Sequence, residues 1–169
     1  MSRALLLLLT LPSLAIAAEK RPMVVEDLFK FKRLAEPQIS PDGKWVVYQV
    51  ASVDLDANKS VTNLFLCATD GKSEPRQLTT TPKSDRHPRW SPDGKKILFE
   101  SNRSGSSQLW VISVEGGEAR QLTTISTGAS TGVWSPDGTK IAFVSAVYPQ
   151  YSGKPFKESD ADNQQRLPG

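Results

Sequence analysis

The four-residue phrase Ser-Pro-Asp-Gly occurs three times in this chain, and its spacing limits the possible folds more than any other feature. It stands at Ser40-Pro41-Asp42-Gly43, Ser91-Pro92-Asp93-Gly94 and Ser135-Pro136-Asp137-Gly138, at intervals of 51 and 44 residues. A second phrase keeps step with it. Arg76-Gln77-Leu78-Thr79-Thr80 returns as Arg120-Gln121-Leu122-Thr123-Thr124, again 44 residues later. Two landmarks with one period mark an internal repeat, and a period in the forties fits a four-stranded propeller blade. The phrase itself is a chain reversal. Proline presets φ for the turn, aspartate bonds back to nearby backbone N–H groups, and glycine accepts φ > 0.

The fold class expected is all-β: a partial β-propeller of about two and a half four-stranded blades, after a signal peptide and a short helix. Residues 36–80 form the first blade, 87–124 the second and 132–146 half of a third; residues 147–169 form a loop. In the middle unit, His87 to Ser91 reads as the first strand and Lys95 to Ser101 as the second, with Ile97 and Phe99 on one face. Gln108 to Val114, rich in β-branched and aromatic residues, is the third. Glu118 to Thr123, more polar, is the outer edge. The first unit repeats this with Lys44 to Ala51, Val61 to Thr69 and Glu74 to Thr79, and a polar loop from Ser52 to Ser60 accounts for its extra length. In the third unit the second strand runs from Thr139 to Ala146.

Residues 1–17 read as a secretory signal peptide. Arg3 precedes the apolar core Ala4 to Leu11, Pro12-Ser13 breaks it, and Ala15-Ile16-Ala17 supplies the small residues of a cleavage site. The apolar run is well short of the roughly 20 residues that a spanning helix needs. The chain is therefore expected to be exported, periplasmic or extracellular, with no membrane attachment after cleavage. Within residues 18–35, Val24, Leu28 and Phe31 share a helical face. Acidic residues come early and basic ones late, which predicts a short helix within the stretch Met23 to Leu34, packing onto the first blade.

The net charge of +3 is spread among interspersed residues, so no basic face for nucleic acid is expected. The lone cysteine, Cys67, cannot close an internal disulfide and reads as a small buried hydrophobe. Gly128-Ala129-Ser130-Thr131-Gly132 matches the Gly-x-Ser-x-Gly pattern. A nucleophile elbow, however, needs a strand before the serine and a helix after it, and here another strand follows. His87, the chain's one histidine, reads as a strand-end or loop residue without metal partners. Asp160-Ala161-Asp162-Asn163 lacks the glycine and distal glutamate of an EF-hand loop and reads as solvated. Trp90 and Trp134 hold equivalent repeat positions, as packing between blades requires, so Trp45, Trp90, Trp110 and Trp134 are not read as a ligand cage. Asn58-Lys59-Ser60 and Asn102-Arg103-Ser104 are formal glycosylation sequons. No catalytic, cofactor-binding or metal-ligating residue is assigned, and no cofactor is expected.

The run Trp90-Ser91-Pro92-Asp93-Gly94-Lys95, then Ser101-Asn102-Arg103, Leu109-Trp110-Val111 and Arg120-Gln121-Leu122-Thr123, resembles the Pro-Asp propeller repeat. That repeat occurs in TolB-like periplasmic proteins and in the N-terminal propeller of the prolyl oligopeptidase family of serine peptidases, which includes dipeptidyl and acylaminoacyl peptidases. The resemblance covers nearly everything after the signal peptide. Two features favour the peptidases. The propeller begins almost at once after Val25-Glu26-Asp27-Leu28-Phe29-Lys30, leaving no room for the α/β domain that precedes TolB propellers. The segment Ser126 to Ser130, with Tyr148-Pro149 further on, also resembles secreted dipeptidyl-peptidase-like members.

The resemblance implies a parent protein in which the propeller caps an α/β-hydrolase domain with a Ser-Asp-His triad and screens short peptide substrates. The expected partners are that hydrolase domain and those peptides. The alternative implied is a TolB-like protein-binding propeller. A ring closes only with roughly four to eight blades, so further blades are expected in the parent. Trp134, Ile141 and Phe143 are then expected to be exposed on the last unit. Lys83 to Arg89 and Ser126 to Gly132 connect adjacent blades. If they line the channel, substitutions at Arg86 or Arg89 change substrate affinity more than stability.

Overall fold

The computed structural model describes residues 21–147. A single helical turn, α1 (Asp27–Lys30), precedes three antiparallel sheets in chain order. The first joins β1 (Arg33–Ile39), β2 (Trp45–Asp54), β3 (Lys59–Ala68) and β4 (Arg76–Gln77) as a meander. The second repeats it with β5 (Asp85–Trp90), β6 (Lys96–Ser101), β7 (Gln108–Ser113) and β8 (Arg120–Gln121). The third pairs β9 (Ser130–Trp134) with β10 (Ile141–Val144). This is a partial propeller. Among the described residues no helix is long and apolar enough to cross a membrane.

Each Ser-Pro-Asp-Gly phrase closes the first hairpin of its sheet by one set of bonds. Ser91 Oγ donates to Asp93 Oδ1 at 2.6 Å and accepts from the Lys96 N–H at 2.9 Å. Asp93 Oδ1 also accepts the Lys95 N–H at 3.0 Å, and Gly94 sits at φ +68°. The same contacts recur at Ser40–Asp42 and Ser135–Asp137. The serine is thus a donor to the carboxylate and an acceptor for the next strand's first amide, and alanine supplies neither.

These bonds favour the ionised carboxylate. The Ser135 hydroxyl first, then the Thr139 N–H and hydroxyl, lower Asp137 to about 2. A folded value below the unfolded one gives stability that is present above the ordinary carboxylate value of about 3.9 and is lost as pH falls through about 2. Ser135→Ala is expected to move the Asp137 titration midpoint up toward the ordinary range, read by carboxyl carbon NMR. An unmoved midpoint would show that the serine is not the cause.

The repeated Gln-Leu-Thr has an equally local meaning. Leu78 and Leu122 turn inward, and their N–H groups donate to Leu64 and Leu109 carbonyls at 2.8 Å. The hydroxyls of Thr79 and Thr123 accept the N–H groups of Leu64 and Leu109 at 3.0 and 2.9 Å. Gln77 and Gln121 each donate to the following threonine carbonyl. The outer strand therefore pairs through two residues only, and side chains continue the work of the ladder. This replaces the longer outer strands, Glu74 to Thr79 and Glu118 to Thr123, that the composition predicts.

Two apolar seams hold the sheets together. Val47, Leu64, Leu66 and Leu78 of the first sheet meet Ile97, Phe99 and Ile112 of the second. On the other face of the second sheet, Leu98 and Leu109 join Ile125 and Ala129, with Leu122, Trp134 and Ile141 packed on them. Period-two alternation sends Ile97 and Phe99 to one seam and Leu98 to the other, which is why β6 reads as an unbroken apolar run. Each fully buried side chain of this size contributes roughly 1.5–3 kcal/mol. Gly132 lets β9 approach: a Cβ there would stand 2.9 Å from Leu98 and 3.0 Å from Leu109.

Several sequence expectations are corrected. The short helix of the stretch Met23 to Leu34 is a single turn, and its expected apolar face is not buried: Val24, Leu28 and Phe31 all remain exposed. Arg33 and Leu34 instead pair with Ala51 and Val50 in the first sheet. The loop from Ser52 to Ser60 shrinks to residues 55–58, since β2 and β3 run on in ten consecutive pairs from Trp45↔Ala68 to Asp54↔Lys59. The first unit's extra length is a longer hairpin. Trp134 and Ile141 are half-buried against the second sheet, while Phe143 is exposed together with Val133 and Val144. Cys67 is half-buried in β3 opposite Val46.

Candidate functional site

The first strand of each sheet carries a non-glycine residue in the left-handed region: Glu36 at φ +53°, His87 at φ +52° and Thr131 at φ +54°. They are separated by 51 and 44 residues, so the repeat places them at one structural position. Each lies where pairing with the second strand slips: between Ala35 and Gln38, between Arg86 and Arg89, and opposite the shift between Ala142 and Val144. The conformation costs about 1–2 kcal/mol and persists only where neighbours hold it.

For His87 and Thr131 that neighbour is the preceding sheet. The His87 N–H donates to Gln49 Oε1 of β2 at 3.0 Å. The Thr131 N–H donates to Glu100 Oε1 of β6 at 2.6 Å. Gln49 and Glu100 are themselves 51 residues apart, so one clasp recurs at both seams. Glu100 Oε1 also lies 3.1 Å from His87 Nδ1, and its side chain is 13% exposed. The first seam carries a second charged contact, Arg89 Nη1 to Glu36 Oε2 at 3.0 Å. Beside it, the Trp90 indole donates to the Gln38 carbonyl at 2.9 Å. Ser84, Arg86, His87, Glu100, Asn102 and Ser107 line a small polar recess of about 160 Å³.

Behind this row lies a buried ion pair. Arg103 Nη2 reaches Asp85 Oδ2 at 2.8 Å, where the Asp85 side chain is wholly buried. The guanidinium also receives support from Ser101 Oγ, which accepts from Nε at 2.9 Å, and lies 4.8 Å from the Trp110 ring centre and 5.4 Å from that of Phe99. This pair fixes the end of β5 that carries Arg86 and His87.

The arrangement offers hydrogen-bond donors and acceptors of both signs along consecutive seams. It suits recognition of polar groups. His87 stands inside β5, not at its end, and its Nδ1 is turned to Glu100. Ser130 opens β9 and pairs with Val144; the residues after it are strand, which removes the geometry of a nucleophile elbow. The connection before β9 therefore ends at residue 129, not at Gly132. Arg89 is committed to Glu36, whereas the exposed Arg86 has no ion-pair partner among the described residues. Among the described residues no group of three His, Cys, Asp or Glu is placed to hold a metal. Residues 1–17 and 148–169, with the expected signal peptide, Tyr148-Pro149 and Asp160 to Asn163, lie outside the described residues.

Sequence reading misses Glu36, Gln49, Glu100 and the Asp85–Arg103 pair. The repeat offset links positions 36, 87 and 131, but Glu, His and Thr share no chemistry, because it is their backbone that is equivalent.

Comparison with known proteins bears on what carries this scaffold. The family model described as TolB beta propeller domain matches residues 14–164. Dipeptidyl-peptidase 5 of Porphyromonas gingivalis is 43% identical over 77 residues, which is 46% of this chain and 11% of that protein. The uncharacterized peptidase YuxL of Bacillus subtilis is 38% identical over 100 residues, 58% of this chain and 15% of that protein. Among solved structures, a putative TolB from Agrobacterium tumefaciens superposes with a TM-score of 0.54 at 30% identity, covering 64% of this chain and 36% of that one. The chain thus spans well under a fifth of either peptidase and about a third of the TolB chain.

Proposed function

As this chain belongs to the TolB beta propeller domain family, we propose that it is the propeller of an exported serine peptidase of the prolyl oligopeptidase type. In this reading the propeller governs peptide access to a hydrolase domain of the same protein. The observation that carries it is the 43% and 38% identity to two peptidases. The polar row at the seams is the surface such a propeller would offer to a passing peptide. There the exposed Arg86 donates, and the carboxylates of Glu36 and Glu100 accept. Export is supported by Arg3, the apolar core and Ala15-Ile16-Ala17.

A fluorophosphonate probe on the full-length protein should label one serine outside the propeller, and the mature N-terminus should begin after Ala17. Arg86→Glu is expected to change KM for charged peptides several-fold while leaving the melting temperature within about a degree, since exposed unpaired charges contribute little to stability. A shift in melting temperature with unchanged KM would remove Arg86 from the substrate path.

The likeness to a TolB structure favours a second reading, a propeller that binds other proteins and has no hydrolase. Absence of probe labelling on the full-length protein, with its fold intact, would select it.

A further inference from the structure

The fold brings both Asn-x-Ser patterns of the chain to one kind of place, the connection between the second and third strands of a sheet. Asn58 closes the hairpin of β2 and β3, and Asn102 follows β6 before β7. Each also has an acidic residue two positions before the asparagine: Asp56 in Asp56-Ala57-Asn58-Lys59-Ser60, and Glu100 in Glu100-Ser101-Asn102-Arg103-Ser104. A hydroxyl two residues after the asparagine is the acceptor requirement for asparagine-linked glycosylation, and an acid two residues before it completes the pattern that bacterial oligosaccharyltransferases read. In sequence the two sites are equal.

In the structure they are not. At the second site every recognition element is committed. The Glu100 side chain is 13% exposed, accepts the Thr131 N–H at 2.6 Å and faces His87 Nδ1 at 3.1 Å. Asn102 Oδ1 accepts the Ser84 N–H at 3.0 Å, and Ser104 Oγ accepts from the Gln121 amide at 3.3 Å. Arg103, between them, holds the buried Asp85.

At the first site residues 54–60 are all exposed, and the side chains of Asp56, Asn58 and Ser60 have no hydrogen-bond or ion-pair partner among the described residues. Part of the turn has a structural reason. Asp54 Oδ1 accepts the Ala57 N–H at 3.0 Å, and Asn58 stands at φ +46°, a region asparagine tolerates better than most residues. Asp56 and Ser60 have no such reason, for the turn uses neither side chain. Lys59 and Ser60 pair with Asp54 and Val53, the last two rungs of the ladder, and an exposed hairpin end opens at little cost. Asp56, Asn58 and Ser60 can therefore be presented together.

We propose that Asn58 is the acceptor of an asparagine-linked glycan and that Asn102 is not. The proposal rests on the export reading, since the donor, an oligosaccharide on a lipid pyrophosphate, is used outside the cytoplasm. Asn58 Nδ2 attacks the anomeric carbon of that donor. The C–N bond forms and the C–O bond to the pyrophosphate breaks. The lipid pyrophosphate leaves with the electron pair, and one amide proton passes to a base of the transferase.

Glycopeptide mass spectrometry on the full-length protein, purified from its own host, tests this, with the mature N-terminus read in the same digest. A sugar mass is expected on Asn58, with Asn102 bare. Ser60→Ala should abolish it while keeping the asparagine and its turn. Asp56→Ala should lower occupancy about tenfold or more, as for a lost charge-assisted contact. A bare Asn58 overturns the proposal, and the N-terminus then shows whether export has failed with it: a chain beginning after Ala17 leaves that reading standing. Occupancy at Asn102 equal to that at Asn58, or occupancy indifferent to Asp56→Ala, overturns it as well.

Discussion

Arg103→Leu is expected to destabilise the full-length protein by about 3–5 kcal/mol, because it leaves a buried carboxylate with no compensating charge. The Asp85 side chain is wholly buried, and its Oδ2 depends on the guanidinium at 2.8 Å. Its Oδ1 has no partner among the described residues. Water cannot take over the missing role at a fully buried group without opening the seam. The double variant Asp85→Leu with Arg103→Leu should recover most of the loss, since removing both charges removes the desolvation cost as well. Urea denaturation followed by tryptophan fluorescence reads both. If the single variant loses less than about 1 kcal/mol, the pair does not hold the fold together as argued.

Phe99→Ala is expected to cost a similar amount, about 3–5 kcal/mol, through a different mechanism. Phe99 is fully buried in the first seam between Ile97 and Ile112 of its own sheet and Val47, Leu64 and Leu66 of the other. Those neighbours belong to two sheets whose spacing is set elsewhere, by the turns and by the Gln49 and Arg89 contacts, so the cavity closes poorly. Phe99 also carries Arg103 on its face at 5.4 Å. The combined Phe99→Ala and Arg103→Leu variant should therefore lose less than the sum of the two single losses, by about 0.5–3 kcal/mol. Strict additivity would show that the guanidinium takes no support from the ring.

Phe99 is legible in the sequence and the role of Arg103 is not, because its partner Asp85 lies 18 residues away with no local pattern to link them. Ile97 and Phe99 could be assigned to one face of a strand from alternation alone, and the structure puts both in the first seam. Ser-Pro-Asp-Gly could be read as a turn because each of its residues has a local job. Gln-Leu-Thr could be read as periodic, but not as a device in which a threonine hydroxyl takes the place of a ladder bond. That bond joins residues 15 apart in one copy and 14 in the other, and leaves no local pattern. The helix stops at one turn because no neighbour buries the face of Val24, Leu28 and Phe31. The polarity of Ser52 to Ser60 suits a hairpin wet on both faces just as well as a loop.

The seam clasps were illegible for a sharper reason. An acceptor on one sheet, Gln49 or Glu100, reads the main chain of the next, at His87 or Thr131. The recipient's side chain takes no part in that bond, so substitution there leaves the clasp whole. At positions 87 and 131 the main chain makes the joint, so the residue shown beside it can be histidine in one copy and threonine in the next while the clasp stays the same. A repeat copied with its clasp intact would bring its own structural warranty and an open choice of residue to show a ligand. At 131, where no side-chain partner is drawn from the preceding copy, a new specificity could then arise without a compensating change next door.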